Sequence, residues 1–212
     1  MAADFQNIYS DLFQSYETVN HILTFGMDCR WRRSAADEVM NAGGCRYLDV
    51  CTGTGEMAEL LHRLSDDDTG IWAVDFSREM LSVAARKHGN AAVRFVRADV
   101  CELPFPAETF DAAVISFALR NLNRNPEALL DYLREVRRVL APGGRLVILE
   151  TSQPGPVLVR KLFHLYVDLA VRPVGRLIAG SKAGYDFLAT SIVRFYDPAT
   201  LSELLERAGY SD

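Results

Sequence analysis

Between residues 46 and 149, short apolar runs alternate with segments whose apolar positions recur every three to four residues. The runs at 46–51, 71–74, 93–96, 112–117 and 145–149 each predict a strand. Helices are predicted between them: from Met57, after Ser77 as N-cap, and over 126–140, with Pro142-Gly143-Gly144 turning the chain into the last strand. Such alternation calls for an α/β fold, a mainly parallel sheet with helices on both faces and ligands at the strands' carboxyl ends. Upstream, Phe5, Ile8, Tyr9, Leu12, Phe13 and Tyr16 lie at helical spacing and predict an amphipathic helix over 4–19. Phe25-Gly26 breaks that pattern, and a second helix is predicted from Cys29 to Met40, ended by Gly43-Gly44. Downstream, Leu158, Leu162, Leu165 and Leu169 form one stripe interrupted by Arg160, Lys161, His164, Asp168 and Arg172. It predicts a helical segment running on to Leu188, followed by a last helix over 198–208. The expected organisation is one domain over residues 1–212, with an N-terminal helical lid (1–40), a ligand-binding core (45–152) and a helical cap (155–190).

The most informative stretch is Tyr47-Leu48-Asp49-Val50-Cys51-Thr52-Gly53-Thr54-Gly55-Glu56. It reads as strand, tight loop, helix. Gly53 and Gly55 permit backbone torsions and close approach that a Cβ would block. The following helix start offers free N–H groups to an anionic ligand part. Gly53 to Ala58 satisfies the G-x-G-x-x-[GA] dinucleotide pattern, and Asp75 stands where such folds place a ribose-binding acid. Three features favour S-adenosylmethionine over NAD. Asp49 beside the loop suits a cationic amino group and would repel a pyrophosphate. A second acid, Asp99, ends another strand-like run. The chain is also short for a separate catalytic domain.

Composition narrows the class. Hydrophobic residues make up 49% of 212, enough for a full core, and the net charge of −5 argues against broad nucleic-acid binding. The sequence suggests neither a signal peptide nor an apolar run near the ~20 residues of a membrane helix. Cys29, Cys45, Cys51 and Cys101 form no C-x-x-C pair and read as reduced thiols of a cytoplasmic protein. His21, His62, His88 and His164 show no ligand spacing, so no metal site is expected.

Four motifs carry a resemblance to the ubiquinone and menaquinone biosynthesis C-methyltransferases, within the class I methyltransferases. Tyr16-Glu17-Thr18-Val19-Asn20 with Phe25-Gly26 and Trp31 is similar to the family's Y-D-x-M-N…F-G…W entrance. Asp49 to Gly55 resembles its cofactor loop. Ser116-Phe117-Ala118-Leu119-Arg120-Asn121 resembles S-F-[GA]-L-R-N. Arg138 to Arg145 with Glu150 and Ser152 resembles R-V-L-K-P-G-G-R…E-x-S. Glu17, Val19, Asp28 and Ala141 depart from the family's usual residues. The resemblance implies a Rossmann-like fold with a further antiparallel strand pair, which this sequence lacks after Asp212. An edge left uncovered there would be an association hazard.

The resemblance also implies an enzyme that methylates a prenylated quinol ring, using S-adenosylmethionine and releasing S-adenosylhomocysteine. Asp49, Gly53, Thr54, Gly55, Asp75, Phe76, Asp99, Val100 and Ser116 would bind the cofactor. Thr54 would meet its methionine end, Asp75 both ribose hydroxyls, Asp99 with Val100 the adenine, and Ser116 the sulfonium. Arg120, Asn121 and Tyr16 would serve catalysis, and Tyr16, Asn20, Arg120 and Asn121 would contact the quinol. Arg120 is a poor base and suits a phenolate or a proton-accepting water better. His21 and His164 are bases by type, although such residues more often stand exposed or satisfied in a core. A lipid substrate without a membrane span implies a peripheral protein at the inner membrane surface, touching it transiently through the leucine stripe. A homodimer stays open. The competing readings are a methyltransferase for another lipid or small molecule, such as a phospholipid amine, a non-catalytic cofactor-binding subunit, and an NAD-linked oxidoreductase.

Overall fold

Five strands and the helices between them follow the apolar pattern closely. The computed structural model describes residues 16–88, 92–123, 125–171, 173 and 182–211, without the side chains of 16–19, 182–185 and 187. The elements in order are α1 (Tyr16–Leu23), α2 (Met27–Asn41), β1 (Arg46–Val50), α3 (Glu56–Leu64), β2 (Gly70–Asp75), α4 (Arg78–His88), β3 (Val93–Arg97), β4 (Phe110–Ser116), the short α5 (Leu119–Leu122), α6 (Pro126–Val139) and β5 (Leu140–Leu149). Then come α7 (Val157–Tyr166), a π-helical turn (Val167–Val171), α8 (Lys182–Arg194) and α9 (Pro198–Arg207). Expected residues 4–15 of the first helix lie outside the described residues. The start signal at Ser77 works as read, and the structure adds a second cap at Asn125. Ser77 Oγ accepts the Met80 N–H at 3.2 Å, and Asn125 Oδ1 caps α6 through Ala128 N–H at 2.8 Å.

The chain forms two compact units. Trp31–Glu150 with Glu203–Asp212 is the sheet unit; the residues up to Arg30 with Thr151–Ser202 form the helical unit.

In the sheet unit all strands are parallel, in the order β3-β2-β1-β4-β5. Tyr47, Ile71, Ala73, Ala112 and Val114 share a core with Ala35, Ala36 and Val39 of α2 and Met57, Ala58 and Leu61 of α3. The alternate residues Leu48, Val50, Val74, Ala113 and Ile115 are equally closed off, so helices cover both faces. From Trp31 on, α2 therefore packs as part of the sheet unit. One boundary differs from the sequence reading. β5 begins at Leu140, ahead of the Pro142-Gly143-Gly144 turn, and that turn becomes a bulge within the strand. Phe110 pairs with Leu140, but Ala112 pairs with Arg145.

In the helical unit, Phe163, Tyr166, Val167 and Val171 pack with Leu23, Ala189, Ile192 and Val193. The Tyr166 hydroxyl donates to the Leu23 carbonyl.

Candidate functional site

Because every strand is parallel, Asp49, Asp75, Asp99 and Ser116 come to one edge of the sheet. The loop after β1 is held from several sides. The Thr52 N–H donates to the Val74 carbonyl at 2.9 Å, and the Gly55 N–H to the Thr52 carbonyl at 3.0 Å. Cys51, Gly53 and Gly55 all take positive φ, at 57°, 58° and 88°. The two glycines are needed for different reasons. A Cβ on Gly53 would meet nothing within 4 Å, which leaves open space above the loop. A Cβ on Gly55 would lie 3.0 Å from His88 Cδ2 and 3.1 Å from Ala84 Cβ, so α4 packs tightly against the loop there.

Asp75 ties the loop to β2. One carboxylate oxygen accepts the Gly53 N–H at 2.9 Å and the other the Ser77 N–H at 2.8 Å. Burial pushes its pKa up, against the lowering effect of backbone N–H groups of Ser77, Gly53 and Phe76. A carboxylate offers about four acceptor sites, so each oxygen keeps a lone pair for a vicinal diol. Asp99 is exposed, and its Oδ1 accepts the Cys101 N–H at 3.0 Å in a tight local turn. Val100 beside it is buried. Phe76 is half-buried, and its carbonyl accepts from Arg97 Nε at 3.1 Å.

Asp49 is fully buried. Its Oδ2 accepts from the Thr52 hydroxyl at 2.5 Å, while Oδ1 has no hydrogen-bond partner. Burial raises its pKa to about 7, although Thr52, the Arg32 charge and the Ala58 N–H pull the other way. Ala58 belongs to the first turn of α3, where anionic charge is favoured. Thr54 is also buried, and its hydroxyl lies 2.8 Å from both carboxylate oxygens of Glu56. Open space over Gly53, diol-matching lone pairs on Asp75 and an unsatisfied acid at Asp49 together fit an adenosyl amino acid.

At the end of β4 the backbone turns sharply. Phe117 takes φ 55°, in the left-handed region, and its N–H donates to the Leu149 carbonyl at 2.7 Å. Ser116 stands half-buried just before it. Arg120, on α5, is 5% exposed. Its backbone N–H donates to Glu150 Oε2 at 3.1 Å and its guanidinium pairs with Glu150 Oε1. Neighbouring Asn121 has a buried Oδ1 without a hydrogen-bond partner. In the helical unit, Asn20 is half-buried on α1; the backbone of Tyr16 begins that helix, and its side chain lies outside the described residues. His164 lies 2.7 Å from Gln153 Oε1, so one ring nitrogen is engaged.

Three features escape sequence spacing. Arg32 on α2 reaches Ser116 Oγ at 3.5 Å, with its guanidinium carbon 5.1 Å from the Phe117 ring centroid. Glu150 is the partner of Arg120; the E-x-S match brought it into view without a role. The fold also gathers His21, Asp28 and Cys29 within 4.8 Å, a grouping that comparing histidines alone does not reveal. Hydrogen bonds account for it. His21 Nδ1 lies 3.0 Å from Asp28 Oδ1, and Thr24 Oγ1 donates to Asp28 Oδ1 at 3.0 Å while accepting the Asp28 N–H at 3.3 Å.

The leucine stripe also finds its place. Leu158, Leu162, Leu165 and Leu169 are 70%, 58%, 52% and 70% exposed, and Val157 and Val159 join them. Among the described residues no helix is long and apolar enough to cross a membrane.

Comparison with known proteins places the chain in a family. Residues 2–212 match the model of the ubiE/COQ5 methyltransferase family. The demethylmenaquinone methyltransferase of Thermus thermophilus is 37% identical over 206 residues, covering 96% of this chain and 91% of that protein. The ubiquinone/menaquinone biosynthesis C-methyltransferase of Desulfotalea psychrophila is 32% identical, covering 98% of this chain and 82% of the other. Among solved structures, a putative methyltransferase from Bacillus halodurans superposes with a TM-score of 0.60 at 24% identity, over 84% of this chain and 69% of that one; it supports the fold. The chain thus belongs to the ubiE/COQ5 methyltransferase family and is a methyltransferase.

Proposed function

We propose that the protein methylates a ring carbon of a prenylated quinol of the demethylmenaquinol type. The observation that carries this reading is the 37% identity to a demethylmenaquinone methyltransferase across 96% of the chain. Asp49, Gly53, Thr54, Gly55, Asp75, Phe76, Asp99, Val100 and Ser116 form the cofactor site. Asp75 takes the ribose hydroxyls on its remaining lone pairs, and exposed Asp99 beside buried Val100 takes the adenine. The bound cofactor supplies a methyl group already activated on a sulfonium.

The chain's own residues then have to orient the ring, exclude water and raise the ring carbon's nucleophilicity. Loss of a proton from the neighbouring hydroxyl makes a phenolate and pushes charge onto that carbon. The methyl is transferred there, and the proton on the methylated carbon leaves to restore the aromatic ring. Asn121 Oδ1, buried and unpartnered, accepts a hydrogen bond from a ring hydroxyl. Glu150 offsets much of the Arg120 charge, which makes Arg120 chiefly a positioning residue that sets the α5 turn and so the direction of Asn121. The exposed leucines of α7, with exposed Lys161 among them, meet the membrane's cytoplasmic surface, where a prenylated substrate resides. The protein works there as a peripheral protein.

Methyl transfer from labelled S-adenosylmethionine to demethylmenaquinol in detergent, resolved by mass, tests the reading. Wild type should yield menaquinol, and labelling of a phospholipid amine in its place would overturn the assignment. In the same assay Arg120→Ala should stay depressed equally from pH 7 to pH 10. Recovery at high pH, where the quinol ionises by itself, would instead return Arg120 to phenolate stabilisation.

A further inference from the structure

Sheet order arranges the polar strand ends in a row: Asp99 after β3, Asp75 on β2, Asp49 and the glycine loop on β1, Ser116 on β4. With strands about 4.8 Å apart, the three spacings span about 14 Å. A long ligand with its adenine at Asp99 and its ribose at Asp75 brings its amino-acid end to the β1 and β4 side. That end carries a carboxylate as well as an ammonium. Several nearby groups are poorly placed to receive an anion. The Thr54 hydroxyl is engaged by Glu56, the Arg120 guanidinium pairs with Glu150, and Asp49 is itself an acid.

Arg32 is suitably placed. Its guanidinium stands over the Phe117 ring, 5.1 Å from the centroid, and Trp31 lies 6.5 Å from the same ring. A guanidinium held over a ring still has N–H donors for hydrogen bonds. One of them reaches Ser116 Oγ at a long 3.5 Å. Its charge is felt at buried Asp49. The left-handed turn at Phe117 holds the ring that supports it.

We propose that Arg32 binds the carboxylate of the cofactor's amino-acid end, steadied by Phe117 and Ser116. This rests on the reading of the strand ends as an S-adenosylmethionine site. Two probes separate the ideas by calorimetry: S-adenosylhomocysteine, which has the amino-acid end, and 5′-methylthioadenosine, which lacks it.

Wild type should bind both, with S-adenosylhomocysteine the tighter. Arg32→Ala should weaken S-adenosylhomocysteine about ten- to hundred-fold, the range of a charged hydrogen bond, and leave 5′-methylthioadenosine unchanged. The unchanged ligand also reports that the variant is folded. Arg32→Lys keeps the charge without the planar fork and should recover part of the loss. Unchanged S-adenosylhomocysteine affinity in Arg32→Ala would overturn the carboxylate contact and leave the cofactor site standing. Equal losses for both probes would make Arg32 a scaffold residue and overturn it too. If wild type binds neither, the cofactor site itself fails.

Discussion

Leu61 and Leu133 of the sheet unit and Leu158 and Leu162 of the helical unit are the same residue type at the same helical spacing, with opposite fates. The first two are wholly buried; the second two are 70% and 58% exposed. The difference lies in what each helix has beside it. α3 and α6 turn their apolar faces into the sheet unit's core. α7 sends Phe163 and Tyr166 inward against Leu23, Ala189, Ile192 and Val193 and leaves its leucines outside. Periodicity specifies an apolar stripe but not its partner. An apolar face that its own unit does not cover calls for another apolar phase.

The largest loss is expected in the core of the sheet unit. Leu133→Ala should cost about 2–5 kcal/mol, because the cavity cannot close around a rigid sheet. Urea unfolding measures it, and a loss below 1 kcal/mol would mean that the sheet unit is no tighter than the helical one.

A second test uses the polar exception inside that core. Asp49 titrates near 7 in the folded chain and near 3.9 when unfolded. Between those values the native state holds a proton that the unfolded state has released. Stability should therefore fall as pH rises from about 4 to about 7, then level off. At about 1.4 kcal/mol per pKa unit, the loss is on the order of a few kcal/mol. The charges and bonds of the facing groups, Thr52, Arg32, Glu56 and the Ala58 N–H, set its size. Asp49→Asn should flatten the curve across that window. A wild-type curve already flat from pH 4 to pH 7 would show that Asp49 stays ionised.

The smallest stability effect belongs to α7. Replacing Leu158, Leu162 and Leu165 by Ser should move stability by no more than about 0.5 kcal/mol per site, as for other surface changes, while sedimentation with anionic vesicles falls sharply. Undiminished vesicle binding by the folded variant would remove the lipid surface as the stripe's partner.

Much of the sheet unit was legible because its signals are local. An apolar run ending in an acid marks β1 and β2, and Ser77 sits where a cap is needed. The start of β5 was not legible: Pro142-Gly143-Gly144 has turn chemistry, and only pairing with β4 reveals it as a bulge. The site divides in the same way. Asp49, Gly53, Gly55 and Asp75 declare themselves through spacing around one loop. Arg32 does not, since it meets Ser116 from 84 residues away, and helix α2 reads only as a cover. Nor does spacing reveal that Arg120 is paired with Glu150, because ion pairs across a sheet end leave no periodic trace.

The strand order also bears on how the chain can assemble as it emerges from the ribosome. β1 pairs with β2, and β2 with β3, each after a single crossover, so these three can dock in the order of synthesis. The other side of β1 has to wait, since Tyr47 to Val50 find their second neighbours at Ala112 to Ile115. If the strands dock in the order of synthesis, the strand carrying the glycine loop is at first an edge. It becomes the middle of the sheet when β4 arrives, and the Ser116–Phe117 side of the site is brought in with that same strand.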